Sequence, residues 1–141
     1  LEIEKRVVEG AGAAGIAAVA ADPDRFAGRR VGVVLTGGNI DPLLLTQVIE
    51  RGLVRSGRLT RVRVEVDDRP GRLAALLAVV ATAGANVVEV QHQRLFVDVR
   101  ARSADVDLTV ECMDADHRDA VLAAVEAAGY RVEPLTPAAG P

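Results

Sequence analysis

Thr36, Gly37, Gly38 and Asn39 are the residues of this chain best suited to chemistry. A hydroxyl, two glycines and an amide stand in a row directly after the apolar run Val31-Gly32-Val33-Val34-Leu35. That run reads as a strand buried on both faces, as in a parallel sheet. Ligands of such sheets bind beyond the carboxyl ends of the strands, and paired glycines let a flat ligand come close to backbone. Asp41 and Pro42 then open a helix, Asp41 as its N-cap and Pro42 at its first position. An ordinary strand–loop–helix turn would carry the same local signals.

A second glycine cluster, Gly10-Ala11-Gly12-Ala13-Ala14-Gly15, follows a strand predicted over Lys5–Glu9 and opens an Ala-rich helix predicted over Gly12–Ala21. G-x-G-x-x-G in that position proposes a dinucleotide site. The next strand, however, ends in Thr36 rather than in an acid that could hold a ribose, and no further βαβ unit follows. Close helix packing is the better reading of these glycines. A third cluster, Asp68-Arg69-Pro70-Gly71-Arg72-Leu73, is a turn that leads into a helix. The N–H groups of a helix start can hold a carboxylate, and Gly71 leaves room for one. His92 and His117 stand apart from any carboxylate or cysteine cluster and read as surface or strand positions. There is no metal-ligand spacing and no Ser/His/Asp set. Cys112 is the single cysteine, so no internal disulfide exists, and its inward phase on a predicted strand makes it core filler.

The elements that position these residues divide into two halves. In the first, the strand at Val31–Leu35 is followed by a helix from Pro42 to about Ser56, with Leu45, Val48, Ile49 and Leu53 on one face and Gly57 as its stop. Two strands and two helices in such a short stretch make a poor independent unit. The second half alternates. Val62, Val64 and Val66 point one way and Arg61, Arg63 and Glu65 the other. A helix with Leu73, Leu76, Leu77 and Val80 on one stripe stops at Gly84. A strand follows from Asn86 to about Gln93, with a break of phase between His92 and Leu95 that predicts a bulge or loop. Val106, Leu108, Val110 and Cys112 mark a third strand. A helix with Val121, Leu122 and Val125 closes at Gly129, and Tyr130–Glu133 is a last strand. The order is βαββαβ, the ferredoxin-like plan, in which the first and third strands are antiparallel neighbours. Arg61 and Arg63 would then face Asp107 and Glu111 across the sheet. Pro134–Pro141 is rich in Pro, Ala and Gly and reads as a frayed tail.

Composition narrows the functions. With 2% aromatics in 141 residues, Val, Leu and Ala must fill the core. A net charge of −3 argues against a nucleic-acid or anionic-membrane surface. No apolar run approaches the roughly 20 residues that span a bilayer, and the N-terminus has neither the basic start nor the apolar centre of a signal peptide. A reducing cytoplasm is the default setting.

Three segments carry a resemblance. Val8-Glu9-Gly10-Ala11-Gly12-Ala13-Ala14-Gly15, then Leu35-Thr36-Gly37-Gly38-Asn39, then Ile49-Glu50-Arg51-Gly52-Leu53, resemble the end of the catalytic domain of the threonine ammonia-lyases (threonine dehydratases). These are pyridoxal-phosphate enzymes of tryptophan-synthase-β-like fold. Residues from about Leu59 to Leu135 resemble an ACT domain, an amino-acid-sensing regulatory module. The order matches the short form of the enzyme with one ACT domain. The resemblance implies an α/β fragment of the catalytic domain over residues 1–57, an α+β ferredoxin-like ACT domain over 58–135, and a tail over 136–141.

The resemblance also assigns roles. Thr36 would share a hydrogen bond with the pyridine nitrogen of pyridoxal phosphate. A neutral hydroxyl leaves that nitrogen largely unprotonated, which suits β-elimination. Gly37 and Gly38 would admit the ring edge, and Glu9 would lie near the ring face. Effector binding would use Asp68, Arg69, Pro70, Gly71 and Leu73, against Asn86, Val87 and Val88 of a neighbouring copy. The effector would be isoleucine or valine, with an allosteric role in isoleucine biosynthesis, and the assembly at least a homodimer. The family's Schiff-base lysine lies in a serine-x-lysine context near the N-terminus of the full enzyme. Lys5, the sole lysine here, lies in Ile3-Glu4-Lys5-Arg6 and does not match, and the phosphate-cradling glycine loop is missing. The chain starts at Leu1 rather than Met and reads as a fragment without lyase activity of its own. Two other readings stay open: a stand-alone ACT sensor, and part of a serine ammonia-lyase.

Overall fold

The computed structural model describes residues 6–93 and 103–135. The chain divides between Val48 and Ile49 into two compact units.

The first unit opens with helix α1 (Gly10–Ala21), whose alanines favour the helical state. The Asp22 carboxylate ends α1 and accepts from the Arg25 N–H (3.3 Å) to start a short helix α2 (Pro23–Phe26), so the connection expected around Phe26 is partly helical. Pro23 fits there because the first N–H of a helix has no partner to lose. Helix α3 (Pro42–Arg55) is capped as expected: Asp41 Oδ1 accepts from the N–H groups of Leu43 (2.9 Å) and Leu44 (3.0 Å).

The two strands expected in this half are not strands. Residues 6–9 and 30–40 run without a ladder, and Lys5 lies outside the described residues. An apolar run becomes a strand only when a neighbour takes its N–H and C=O groups in series. Here the two segments are joined by the Glu9 N–H donating to the Gly37 C=O (3.2 Å). What aligns them is α1. A Cβ on buried Gly12 would run into the Thr36 carbonyl, and one on Gly15 would lie 2.6 Å from Val33 Cγ1. The G-x-G-x-x-G run is a packing device that lets an extended segment lie directly on the helix.

The second unit is βαββαβ: β1 (Leu59–Asp67), α4 (Arg72–Thr82), β2 (Asn86–Gln93), β3 (Ser103–Glu111), α5 (Ala115–Ala127) and β4 (Arg131–Pro134). The sheet is antiparallel in the order β2-β3-β1-β4. Alternation explains the core. Val62, Val64 and Val66 of β1 and Val106, Leu108 and Val110 of β3 are buried under Leu76 and Val80 of α4 and Val121 and Val125 of α5. Cys112 joins this core, its N–H donating to the Arg58 carbonyl (2.8 Å).

Gly57, at φ +72°, turns the chain from α3 into β1. A Cβ there would come within 2.5 Å of the Ala115 Cα, so both backbone sign and space require glycine. In β2 the register shifts between Val87 and Glu89, leaving Val88 outside the ladder. The break expected between His92 and Leu95, and the tail 136–141, lie outside the described residues.

Candidate functional site

In the first unit the predicted cofactor residues come together. Gly12, packed on the Thr36 carbonyl, brings Thr36-Gly37-Gly38 to the N-terminus of α1, and Glu9 is the N-cap residue of that helix. Gly37 has φ +76°, and its Cα lies against the Glu9 carboxylate, so a side chain there would collide with it. Beside Gly38 the nearest atom to a built Cβ would be the Val7 carbonyl oxygen, 3.8 Å away. Thr36, Gly37 and Gly38 are exposed and Glu9 is half-buried. The cluster thus offers a hydroxyl, a carboxylate and a stretch of side-chain-free backbone on one surface.

In the second unit the predicted effector residues separate into two groups. Asp68, Arg69, Pro70 and Gly71 form the exposed turn between β1 and α4, with the Arg69 N–H donating to the Asp67 carbonyl (2.8 Å). Gly71 is the N-cap residue of α4 at φ +85°, with open space where a Cβ would stand and no side chain capping the helix. Uncapped first-turn N–H groups suit an anion. Leu73 is half-buried against the core.

Asn86, Val87 and Val88 start β2 at the other end of the sheet. Asn86 stands opposite Glu111, which pairs with Leu59 at the start of β1, whereas Gly71 follows the end of β1. The Asn86 amide donates to Glu111 Oε2 (3.3 Å), and Val88 is 58% exposed. Within one chain, therefore, the two groups do not meet.

Across the open face of the sheet, Arg63 meets Asp107 as expected, while Glu111 pairs with Asn86 rather than with an arginine. Arg61 reaches Asp107 (3.6 Å) and the Gln91 amide oxygen (3.0 Å). The Arg63 guanidinium is held above its ordinary pKa, chiefly by its hydrogen bonds to Asp107, and so stays charged.

Three features escaped the sequence reading. His117 is structural: its Nδ1 accepts from the Met113 N–H (3.1 Å), and its Nε2 lies 2.9 Å from the Ala83 carbonyl. His92 sits on the helix side of β2 with its Nε2 buried and no hydrogen-bond partner. A cleft of about 180 Å³ opens beside the β1–α4 turn, lined by Glu65, Asp67, Arg72, Ser103, Tyr130 and Arg131 together with Val66 and Gly129. No motif signals it, because its walls come from four separate elements. Among the described residues, no group of three or more His, Cys, Asp or Glu could hold a metal, and no helix is long and apolar enough to cross a membrane.

Comparison with known proteins agrees with this layout. Residues 60–129 match the ACT domain family. The chain is 42% identical over 132 residues to an L-threonine ammonia-lyase of Thermotoga maritima, covering 94% of this chain and 33% of that enzyme. It is 36% identical over 135 residues to an L-threonine ammonia-lyase of Geobacter sulfurreducens, covering 96% and 34%. The chain thus spans about a third of the length of the curated relatives it matches. A solved homoserine dehydrogenase from Thiobacillus denitrificans overlays 90% of the chain and 27% of its own, at 16% identity and a TM-score of 0.37. The fold of the second unit, the family match at 60–129 and the similarity of nearly the whole chain to both relatives agree: residues 60–129 form an ACT domain, and the chain is similar to the C-terminal, ACT-bearing part of L-threonine ammonia-lyases.

Proposed function

We propose that this chain is the regulatory end of a pyridoxal-phosphate-dependent threonine ammonia-lyase, which converts threonine to 2-oxobutanoate and ammonia. In this reading residues 1–57 belong to the catalytic domain and contribute one wall of its cofactor site, and residues 58–135 sense a branched-chain amino acid. The observation that carries it is the packing of Gly12 on the Thr36 carbonyl, which groups Thr36, Gly37, Gly38 and Glu9 on one surface. At Gly38 no side chain stands in the way of a flat ring, and Thr36 would supply the hydroxyl for its nitrogen. When bound, pyridoxal phosphate supplies an electron sink for the substrate carbon that loses its proton. Thr36 orients the ring and keeps its nitrogen neutral, and Gly37 and Gly38 give it room.

The exposure of the first unit supports the same reading. Helix α1 carries no charged residue, a composition suited to a protein interior. Val34 and Leu43 are 80% and 75% exposed, and Ile16 and Leu35 about half. Apolar surface of this extent is normally covered, and the rest of a catalytic domain would cover it.

The effector site needs two copies. Strand β2 is an edge of the sheet. Two copies paired antiparallel along β2 would bring Asn86, Val87 and Val88 of one towards the Gly71 turn of the other. The effector carboxylate would take N–H groups near Gly71, and its aliphatic side chain would rest on Leu73 or Val88. Calorimetry with isoleucine and valine tests this. Binding by the wild-type chain and its loss in Gly71→Asp are expected; no heat and no melting shift with millimolar isoleucine or valine would refute the sensor reading.

A further inference from the structure

We infer that the cleft between Asp67, Arg72, Tyr130 and Arg131 is a second small-molecule site of the ACT domain, built within a single chain for a small polar α-amino acid. The inference rests on the reading of the domain as an amino-acid sensor, and places a ligand on the opposite flank of the Gly71 turn from β2.

The cleft lies where β1 ends, β3 and β4 begin and α4 starts. Its volume of about 180 Å³ suits a molecule the size of serine or threonine. Its walls hold both charges. Arg72 lies at the start of α4, with Nη2 3.3 Å from Asp67 Oδ2 and its guanidinium carbon 5.9 Å from the centre of the Tyr130 ring. The guanidinium stands between the Asp67 carboxylate and the Tyr130 ring, at the edge of the ring's reach, and it keeps a fork of donors that matches a carboxylate. Asp67 and Arg72 are each about half exposed, so their mutual attraction is weak and a ligand carboxylate can replace it at little cost.

The acidic side of the cleft has a reason to accept a cation. Glu65 stands directly opposite Asp105 in the β1–β3 ladder. Like charges across a ladder are unfavourable. On its other side Glu65 faces Arg131 of β4. Arg63 Nε already meets Asp105 Oδ2 at 3.9 Å and Arg131 stands beside Glu65, so the ammonium group is drawn to Glu65 as the carboxylate that lines the cleft rather than by unmatched repulsion. Carboxylate to Arg72 and ammonium to Glu65 together demand a zwitterion. Val66 is almost fully buried and offers a ligand little apolar surface, whereas Ser103 adds a hydroxyl. A polar side chain therefore fits better than a branched aliphatic one.

Titration calorimetry of the full chain with L-threonine and L-serine tests this, with propionate and propylamine as half-ligands. The zwitterions should bind, and each half-ligand at least tenfold more weakly. Arg72→Gln should weaken threonine binding at least tenfold. Glu65→Gln removes the ammonium partner on β1 and should weaken threonine binding at least tenfold, which reads the same cleft should Arg72→Gln fail to fold, as judged by its melting curve. Threonine affinity unchanged in both cleft variants overturns the site, and so does a response in which propionate equals threonine. Isoleucine binding that depends on Gly71 but not on Arg72, with no threonine binding, overturns this site and leaves the sensor reading standing. No binding of any of these amino acids overturns both.

Discussion

Arg63 and Asp107 meet fork to fork on the open face of the ACT sheet, with Nε to Oδ1 at 2.7 Å and Nη2 to Oδ2 at 3.0 Å. They are direct partners in the β1–β3 ladder, and the Asp107 side chain is only 4% exposed although α4 and α5 pack on the opposite face. Arg61 stands beside the pair, 3.6 Å from Asp107 Oδ2 and 3.0 Å from Gln91 Oε1. Its neighbours in sequence, Val62, Val64, Val106 and Leu108, are core residues on the opposite face. A slip of one residue would exchange the two faces, so this pair and the valines specify the same register.

Asp107→Ala should therefore destabilise the domain by about 2–3 kcal/mol, since it removes two charge-assisted hydrogen bonds from Arg63 and takes a buried carboxylate away from Arg63 and Arg61. Arg63→Met combined with Asp107→Leu should recover at least half of that loss. Urea melts of the single and double variants measure the coupling. A single-variant cost below about 0.5 kcal/mol would mean the pair is only a surface contact.

Two glycines with the same backbone sign should answer differently to alanine. At Gly71 there is open space, so Gly71→Ala meets only the left-handed backbone penalty of about 1 kcal/mol. At Gly57 the new Cβ would also press on the Ala115 backbone at 2.5 Å. Gly57→Ala should thus cost more than Gly71→Ala, by about 1 kcal/mol or more, the scale of other overpacking changes. Paired thermal melts check the order, and equal melting temperatures would contradict it.

The contrast between the two halves shows what a sequence makes legible. Period-two and period-3.6 patterns name their own elements, so β1, α4, β3 and α5 could be read from Val62–Val66, Leu73–Val80, Val106–Val110 and Val121–Val125. The strand predicted at Val31–Leu35 failed because a strand is a property of a pair, and its apolar composition says nothing about whether a partner is present. The glycines of α1 were legible as packing, but that Gly12 meets Thr36 could only be seen in three dimensions. The same holds for Arg72 on Tyr130 and for His117 between Met113 and Ala83, which join elements distant in sequence.

His117 supplies a further expectation. It ties the end of α4 to the start of α5 by accepting from Met113 and donating to the Ala83 carbonyl, which assigns the proton to Nε2. His117→Ala should lower stability by about 1–2 kcal/mol through those two lost bonds. Amide exchange should quicken at Met113 and near Ala83 and remain slow in β1 and β3. Uniformly faster exchange would show the effect to be global instead.

Cys112 should be protected by its burial. The core raises its thiol pKa above the ordinary value, with desolvation as the main cause and the Arg118 charge pulling weakly the other way. A thiol whose folded pKa exceeds its unfolded one binds its proton longer in the native state. Its contribution to stability is full below the unfolded value of about 8.5 and declines as pH rises from there through the folded value. Iodoacetamide at pH 8 should leave the native thiol unmodified and label it after unfolding. Rapid labelling of the native chain would place Cys112 outside the core.

The last expectation concerns assembly. The sheet has two edges, and they are not equivalent. Strand β4 spans four residues and ends in Pro134, which cannot donate to a further ladder. Strand β2 spans eight residues, and Val88 and Val90 on it are 58% and 38% exposed. A longer edge with apolar exposure is the one that finds a partner, so the chain should form at least a dimer through β2. Light scattering at tens of micromolar should return a mass of two chains or more. Val90→Lys sets a charge on that edge and should shift the mass to a single chain without loss of far-ultraviolet circular dichroism. A monomeric wild type would contradict the assembly itself, and an oligomer indifferent to Val90→Lys would move the interface away from β2.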